Sequence, residues 1–312
     1  MPTPDHIPIQ PALSTHEAGV CDRLRGHVEK LAGEIGIRHD SIPETISATV
    51  DYIRDVFNQL GQVVSVETYA TPAGEAKNLV VEWPGTTKAD QIVIVGAHYD
   101  TVRRTPGADD NASAVAMMLE VCQALAGCHF ARTVRFVAFA NEEPPHFGTP
   151  TMGSQVYADR CKERGDAIHT MICLEMVGFY STAPNSQEYP DELPAMLRPM
   201  LPSTGDFIAF VADLATHRQL GTFKRAFKRR TRFPVVAAPL PKAREILWVS
   251  DHGPFWDHGY PAIMVTDTSW FRNPHYHAPT DRPETLDYER MARVAEGVIA
   301  GVSALAKPKG KD

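Results

Sequence analysis

No stretch of this chain approaches the 18 or so consecutive apolar residues of a membrane-spanning helix, so the sequence predicts no membrane association. The first twenty residues, MPTPDHIPIQPALSTHEAGV, lack both a basic leader and an apolar core. They predict an ordered arm or loose tail rather than a secretion signal, and a cytoplasmic location is the expectation. Cysteine is scarce: Cys21, Cys122, Cys128, Cys161 and Cys173 are the only five, with no C-x-x-C pair. That odd, scattered set excludes a disulfide scaffold and a cysteine-based zinc module, and it fits reduced thiols. Cys122 and Cys173 lie inside apolar runs and read as buried. Positive charge is not in surplus either: the net charge is −7, which argues against a nucleic-acid partner. Internal repeats and Gly/Ser linkers are absent, so a single domain over residues 1–312 is expected.

What is present is a regular alternation of elements. Residues 43–60 carry Ile46, Val50, Ile53, Val56, Phe57 and Leu60 at helical spacing. Two strand-like runs follow, VVSVETY and NLVVEWP. QIVIVGAH, short and β-branched, then reads as a buried strand. ASAVAMMLEVCQAL predicts an amphipathic helix, TVRFVAFA a strand, TMGSQVYADRCK a helix and AIHTMICLEMV another strand. WDHGYPAIMVTDT ends in a strand, and LDYERMARVAEGVIAGVSALA closes the chain as a helix. This order predicts an α/β sheet packed between helix layers. Residues 181–247 interrupt it as an irregular insertion: a Pro-rich loop, the strand DFIAFVAD, and a basic helix over 218–232. On that helix Leu220, Phe223 and Phe227 share one face, and the basic side is expected to be solvated.

Polar residues collect where the strands end. In open α/β sheets ligands bind outside the carboxyl ends of the strands. QIVIVGA runs into His98-Tyr99-Asp100, and the helix ASAVAMMLEV is preceded by Gly107-Ala108-Asp109-Asp110-Asn111. TVRFVAFA runs into Asn141-Glu142-Glu143, the strand TMICL into Glu175, and AIMVTDT leads to NPHYHAPTD with His275 and His277. Imidazoles and carboxylates at one edge are a metal-ligand set suited to zinc, with cobalt or manganese as alternatives. Three protein ligands make a one-metal site; five, one of them bridging, make a two-metal site. The residue types alone do not choose between Asp109 and Asp110.

The segments VGAHYDTV, PGADDNASA, FANEE, LEM, SDHGPFWDHGYPA and YHAPTDRPETLD, in this order from about residue 76 to the C-terminus, resemble the zinc-dependent exopeptidase family. That family includes bacterial leucyl aminopeptidase and aminopeptidase Y, with glutaminyl cyclase and glutamate carboxypeptidase as distant relatives. The resemblance implies a three-layer α/β/α sandwich with a central mixed, mostly parallel sheet. It implies two divalent metal ions, one held by His98 and Glu175, the other by Glu143 and His277, with Asp110 bridging them. It also implies a cis peptide bond after Asp110. Glu175 stands where relatives commonly carry Asp.

The same resemblance implies an aminopeptidase acting on a peptide or small aminoacyl substrate. Glu142 is expected to be the general base that takes a proton from the attacking water and passes it to the leaving amine. Asp100 shares a face with His98 and is expected to accept its other ring N–H. Tyr276 is expected to donate to the oxyanion, and Asp251 and His252 to support the site or cap a helix. Two alternatives use the same fold: a glutaminyl cyclase-like aminoacyltransferase, whose relatives usually carry Trp where Tyr276 stands, and a carboxypeptidase or dipeptidase.

Overall fold

A computed structural model describes residues 11–193, 198–240 and 247–307. The first ten residues of the predicted arm, and residues 194–197 and 241–246 of the predicted insertion, lie outside the described residues. The end of that arm is helical. Helix α1, Thr15–Val28, starts at a capping box in which the Ser14 side chain accepts from the Glu17 N–H and the Glu17 carboxylate accepts from the Ser14 N–H. Its last turn widens over Glu29–Ile35. Helix α2, Pro43–Gln59, begins with proline in its first turn.

The strands are β1 (Ser65–Thr71), β2 (Gly74–Trp83), β3 (Lys88–His98), β4 (Arg132–Phe139), β5 (Ala167–Glu175), β6 (Ile208–Asp213), β7 (Val235–Leu240) and β8 (Ala262–Thr266). They join in one sheet of order β1-β2-β4-β3-β5-β8-β6-β7. β4, β3, β5 and β8 run parallel as neighbours, as do β6 and β7. The β1–β2, β2–β4 and β6–β8 pairs are antiparallel. The remaining helices are α3 (Ala114–Leu125), α4 (Gly153–Arg164), α5 (His217–Arg230), α6 (His252–Asp257) and α7 (Tyr288–Ala306).

Helices α1, α3, α5 and α7 cover one face of the sheet and α4 and α6 the other, which gives the α/β/α sandwich with a mixed sheet. Residues 208–240 are more regular than the sequence reading of 181–247 as irregular suggested. Strand β7 was not foreseen there, and it extends the sheet to its outer edge. Pro239 sits in β7, where only β6 needs a hydrogen-bond partner, as edge strands allow. The basic helix α5 buries Leu220, Phe223 and Phe227. Its rings lie so close to α7 that a Cβ on Gly297 or Gly301 would fall 2.2 Å from Phe227 or 2.5 Å from Phe223. On the charged side, the Arg230 Nε–H donates to Glu296 at 2.7 Å.

Because β4, β3, β5 and β8 are parallel, their carboxyl ends meet at one edge. His98 at the end of β3 is in register with Phe139 at the end of β4, and Glu175 at the end of β5 with Thr266 at the end of β8. All five cysteines are free thiols, four of them buried. Among the described residues, no helix is long and apolar enough to cross a membrane.

Candidate active site and metal centre

Two clusters form at that edge and share one residue. His98, Asp110 and Glu175 make the first, and Asp110, Glu143 and His277 the second. Nε2 of His98 lies 3.4 Å from Asp110 Oδ1 and 3.4 Å from Glu175 Oε2. Nε2 of His277 lies 3.1 Å from Asp110 Oδ2 and 3.2 Å from Glu143 Oε1. Asp110 is thus the acid between the two imidazoles. Asp109 points away: its carboxylate accepts the Gly178 N–H at 2.9 Å and the Asn273 side-chain amide at 2.6 Å. His275 also stands apart, with its Nδ1 2.9 Å from Thr280 Oγ1 and its ring against Phe179.

The backbone aims these groups. The Asp110–Asn111 peptide bond is cis. Asp281 accepts the N–H groups of both Asp109 and Asp110, at 2.9 and 3.1 Å, and fixes the start of the turn. Asn111 bonds to Leu174 and Met176 on either side of Glu175, linking the two ligand-bearing segments. Asp100 holds the next turn, its two oxygens accepting the N–H groups of Glu142 and Glu143 at 3.0 Å each. The Nδ1 of His98 lies 3.2 Å from the Asp100 carbonyl oxygen and 3.5 Å from its carboxylate, so the main chain of Asp100 is the nearer partner.

The electrostatics call for positive charge. Burial, reinforced by Asp110, pushes the Glu143 carboxyl up to about 8. Glu142 is raised well above the carboxylate range by burial and by Glu143 and Glu175. Burial alone would lower the His98 imidazole, but Glu142 and Glu175 outweigh it and raise it. His277 is pushed up to about 10, because Asp110 and Glu143 outweigh its burial. Nε2 of His98 and Oε1 of Glu143 are buried and make no hydrogen bond. Two imidazoles and three carboxylates face one another here, with two of their buried atoms lacking a hydrogen bond, a set whose chemistry fits divalent cations of the zinc type.

Glu142 is buried beside these clusters, with Oε2 3.8 Å from His98 Nε2. Tyr276 stacks on His277 with ring centroids 3.7 Å apart. Both line a cavity of about 540 Å³ that opens on the acids. Its floor is the face of β6, β7 and β8 that α5 leaves bare, with Ala209, Val211, Val236 and Met264, and its walls include Phe147, Leu193, Leu201 and Trp270.

Asp251 starts α6 but makes no capping bond; its carboxylate is buried and pushed up to about 7 by that burial. His252 bonds to the Leu247 carbonyl at 2.7 Å and packs against Trp256. The residue of SDHG that touches the cluster is instead Ser250, which the sequence reading passed over. Its hydroxyl donates to Glu175 Oε2 at 2.5 Å. The available signal was its place directly before Asp251 in a site motif.

Residues 78–302 match the sequence model described as peptidase family M28. The chain belongs to that family. It is therefore a peptide hydrolase. The peptidase is 37% identical over 287 residues to the uncharacterized protein YfbL of Escherichia coli, an alignment covering 89% of this chain and 86% of that one. It is 27% identical over 244 residues to a probable leucine aminopeptidase of Arthroderma otae, covering 73% of this chain but only 57% of the fungal protein. The structure shares its fold with BSAP, a zinc aminopeptidase from Bacillus subtilis, at a TM-score of 0.70 and 17% identity, with 94% of this chain and 96% of that one aligned.

Proposed function

We propose that this peptidase is a two-metal aminopeptidase that prefers a large apolar first residue. The observation that carries the reading is the pair of clusters joined through Asp110, with Glu142 beside them at the mouth of an apolar cavity. In it, His98 and Glu175 would hold one ion and Glu143 and His277 the other, with Asp110 as the ligand common to both groups. Zinc is the ion favoured by the donor set. Bound there, the ions would supply the positive charge that lowers the pKa of water and polarises a carbonyl.

The chain's own groups do the rest. Glu142 takes the proton of the attacking water and returns it to the leaving amine. Its carboxylate lines the cavity within 3.8 Å of the His98 ring, where the attacking water and the leaving amine would meet it. Tyr276 donates its O–H to the oxygen on which negative charge develops. The first side chain of the peptide enters the cavity, which strips it of water. Among the described residues lining the cavity there is no Lys or Arg, while Asp110, Glu142, Glu143, Glu175 and Glu188 all line it. Asp110, Glu143 and Glu175 would be neutralised by the ions, which leaves Glu142 and Glu188 to complement an amino-terminal ammonium and no Lys or Arg in that lining to pair a carboxy-terminal carboxylate; this supports amino- over carboxy-terminal cleavage.

The test is a panel of dipeptides and aminoacyl anilides given to metal-stripped and zinc-reconstituted protein, read by mass spectrometry. Release of the first residue only after reconstitution, blocked by N-acetylation, is expected. Cleavage from the carboxyl end, or loss of ammonia from Gln-initiated peptides without chain cleavage, would overturn the reading.

A further inference from the structure

Arg38 lies ahead of the family match, which begins at residue 78, yet it is built into the site. It is 1% exposed. Among the described residues, its guanidinium bonds to backbone carbonyls alone. Nε donates to Tyr99 O at 2.7 Å and Nη2 to Gly107 O at 2.9 Å. Nη1 donates to Pro106 O at 2.6 Å, to Gly36 O at 2.9 Å and to Leu31 O at 3.1 Å. The Arg38 N–H also donates to Thr101 Oγ1 at 3.1 Å, and its carbonyl accepts the Thr101 N–H at 3.1 Å.

Two of the segments so gripped carry candidate ligands. Tyr99 follows His98 directly and precedes Asp100, which fixes the Glu142–Glu143 turn. Pro106 and Gly107 lead into Asp109 and Asp110. Gly107 has φ +62°, and a Cβ there would lie 2.2 Å from the Asp110 carbonyl oxygen and 2.4 Å from Thr101 Cγ2. The turn is therefore held from both sides, its carbonyls by Arg38 and its following amides by Asp281. Only a planar fork of five N–H donors can serve carbonyls in three directions; a lysine ammonium has three donors at one point.

We infer that Arg38 is a positioning residue: it locks the His98–Asp100 and Pro106–Asp110 segments together in ligand geometry before any ion binds, which makes the N-terminal segment part of the active site. The inference rests on the two-metal reading. Its second consequence is electrostatic. Burial pushes the guanidinium down to about 10, opposed by Asp281, Asp100 and Asp110. It thus stays charged at neutral pH and sets a permanent cation behind the acid cluster.

The experiment compares wild type with Arg38→Lys, which keeps the charge and loses the fork. Each protein is stripped of metal and titrated with zinc against a chromogenic chelator, and hydrogen exchange is measured on both metal-free proteins. Arg38→Lys is expected to bind zinc about 10- to 100-fold more weakly. Its kcat should fall while KM moves less than about threefold. Exchange should accelerate over residues 99–111 and stay unchanged in α5 and α7. Thr101→Val, which removes one acceptor only, should shift zinc affinity the same way by less. Equal zinc affinity in wild type and Arg38→Lys overturns the inference and leaves the metal reading standing. Lost protection throughout Arg38→Lys, or its failure to fold, also overturns it, since Arg38 would then be a general folding residue. A wild type that binds no zinc overturns both.

Discussion

Asp110 and His277 face each other across the site with Oδ2 3.1 Å from Nε2, while the other oxygen of the same carboxylate lies 3.4 Å from His98. One acid thus serves two imidazoles. Its replacement should be felt at both ions: Asp110→Ala is expected to lower bound zinc from about two per chain towards none. Glu175→Ala should lower it to about one. Metal analysis of purified, zinc-equilibrated protein checks both, and equal losses in the two variants would contradict the shared role.

Glu142 and Glu143 are neighbours in sequence with different surroundings. Glu142→Gln should keep zinc and fold while kcat falls by about 10² to 10⁴. Glu143→Ala should lose zinc as well as turnover. Steady-state kinetics with metal analysis on the same samples separates the two.

Ser250 donates to Glu175 at 2.5 Å and is fully buried. Ser250→Ala removes that bond and little volume. Zinc at the first cluster is expected to weaken by about tenfold or more, with stability lowered by only about 1–2 kcal/mol. Chelator competition and thermal unfolding measure the two effects.

Ala209 lies on the cavity floor. Ala209→Phe fills space next to the acids without adding charge. We expect kcat/KM for Leu- and Phe-initiated substrates to fall about 10- to 100-fold, and that for Ala-initiated substrates to change little. Uniform losses across the panel would place the first side chain elsewhere.

His27 gives stability a pH dependence remote from the site. Its Nδ1 lies 2.6 Å from the Tyr52 hydroxyl, and burial, then Arg23, pushes the imidazole down to about 4. The unfolded chain binds this proton at about 6.5 and the folded chain does not until about 4. The contribution of His27 is therefore complete above 6.5 and is lost as pH falls from 6.5 towards 4, by at most about 3 kcal/mol. Urea unfolding at pH 7.5 and pH 4.5 should show His27→Asn losing less stability on acidification than wild type.

Much of this was legible in the sequence because the signals are local. Strands β3, β4 and β5 run straight into His98, the Glu142–Glu143 pair and Glu175, and the parallel order brings those ends together. The choice of Asp110 over Asp109 was not legible from residue types, since it depends on the backbone path, with φ −104° and ψ 89° at Asp110. Strand β7 was hidden by Pro239, which reads as a breaker unless its edge position is known. The start of α1 followed a Pro-rich run that masked the capping box. Arg38 left no trace at all. Its partners are main-chain carbonyls, which every residue has, so nothing in the sequence around 99–107 marks them.

The bare face of β6, β7 and β8 divides the molecule's labour along the chain. The groups proposed for cleavage come from the ends of β3, β4 and β5, from the Asp110 turn before α3 and from the His277 loop, whereas the floor proposed to meet the substrate comes from strands on the far side of β5. A side chain changed at Ala209 or Val211 is expected to alter which peptides fit without shifting a ligand. On the proposed reading, the peptidase can acquire a new diet while its cutting edge stays the same.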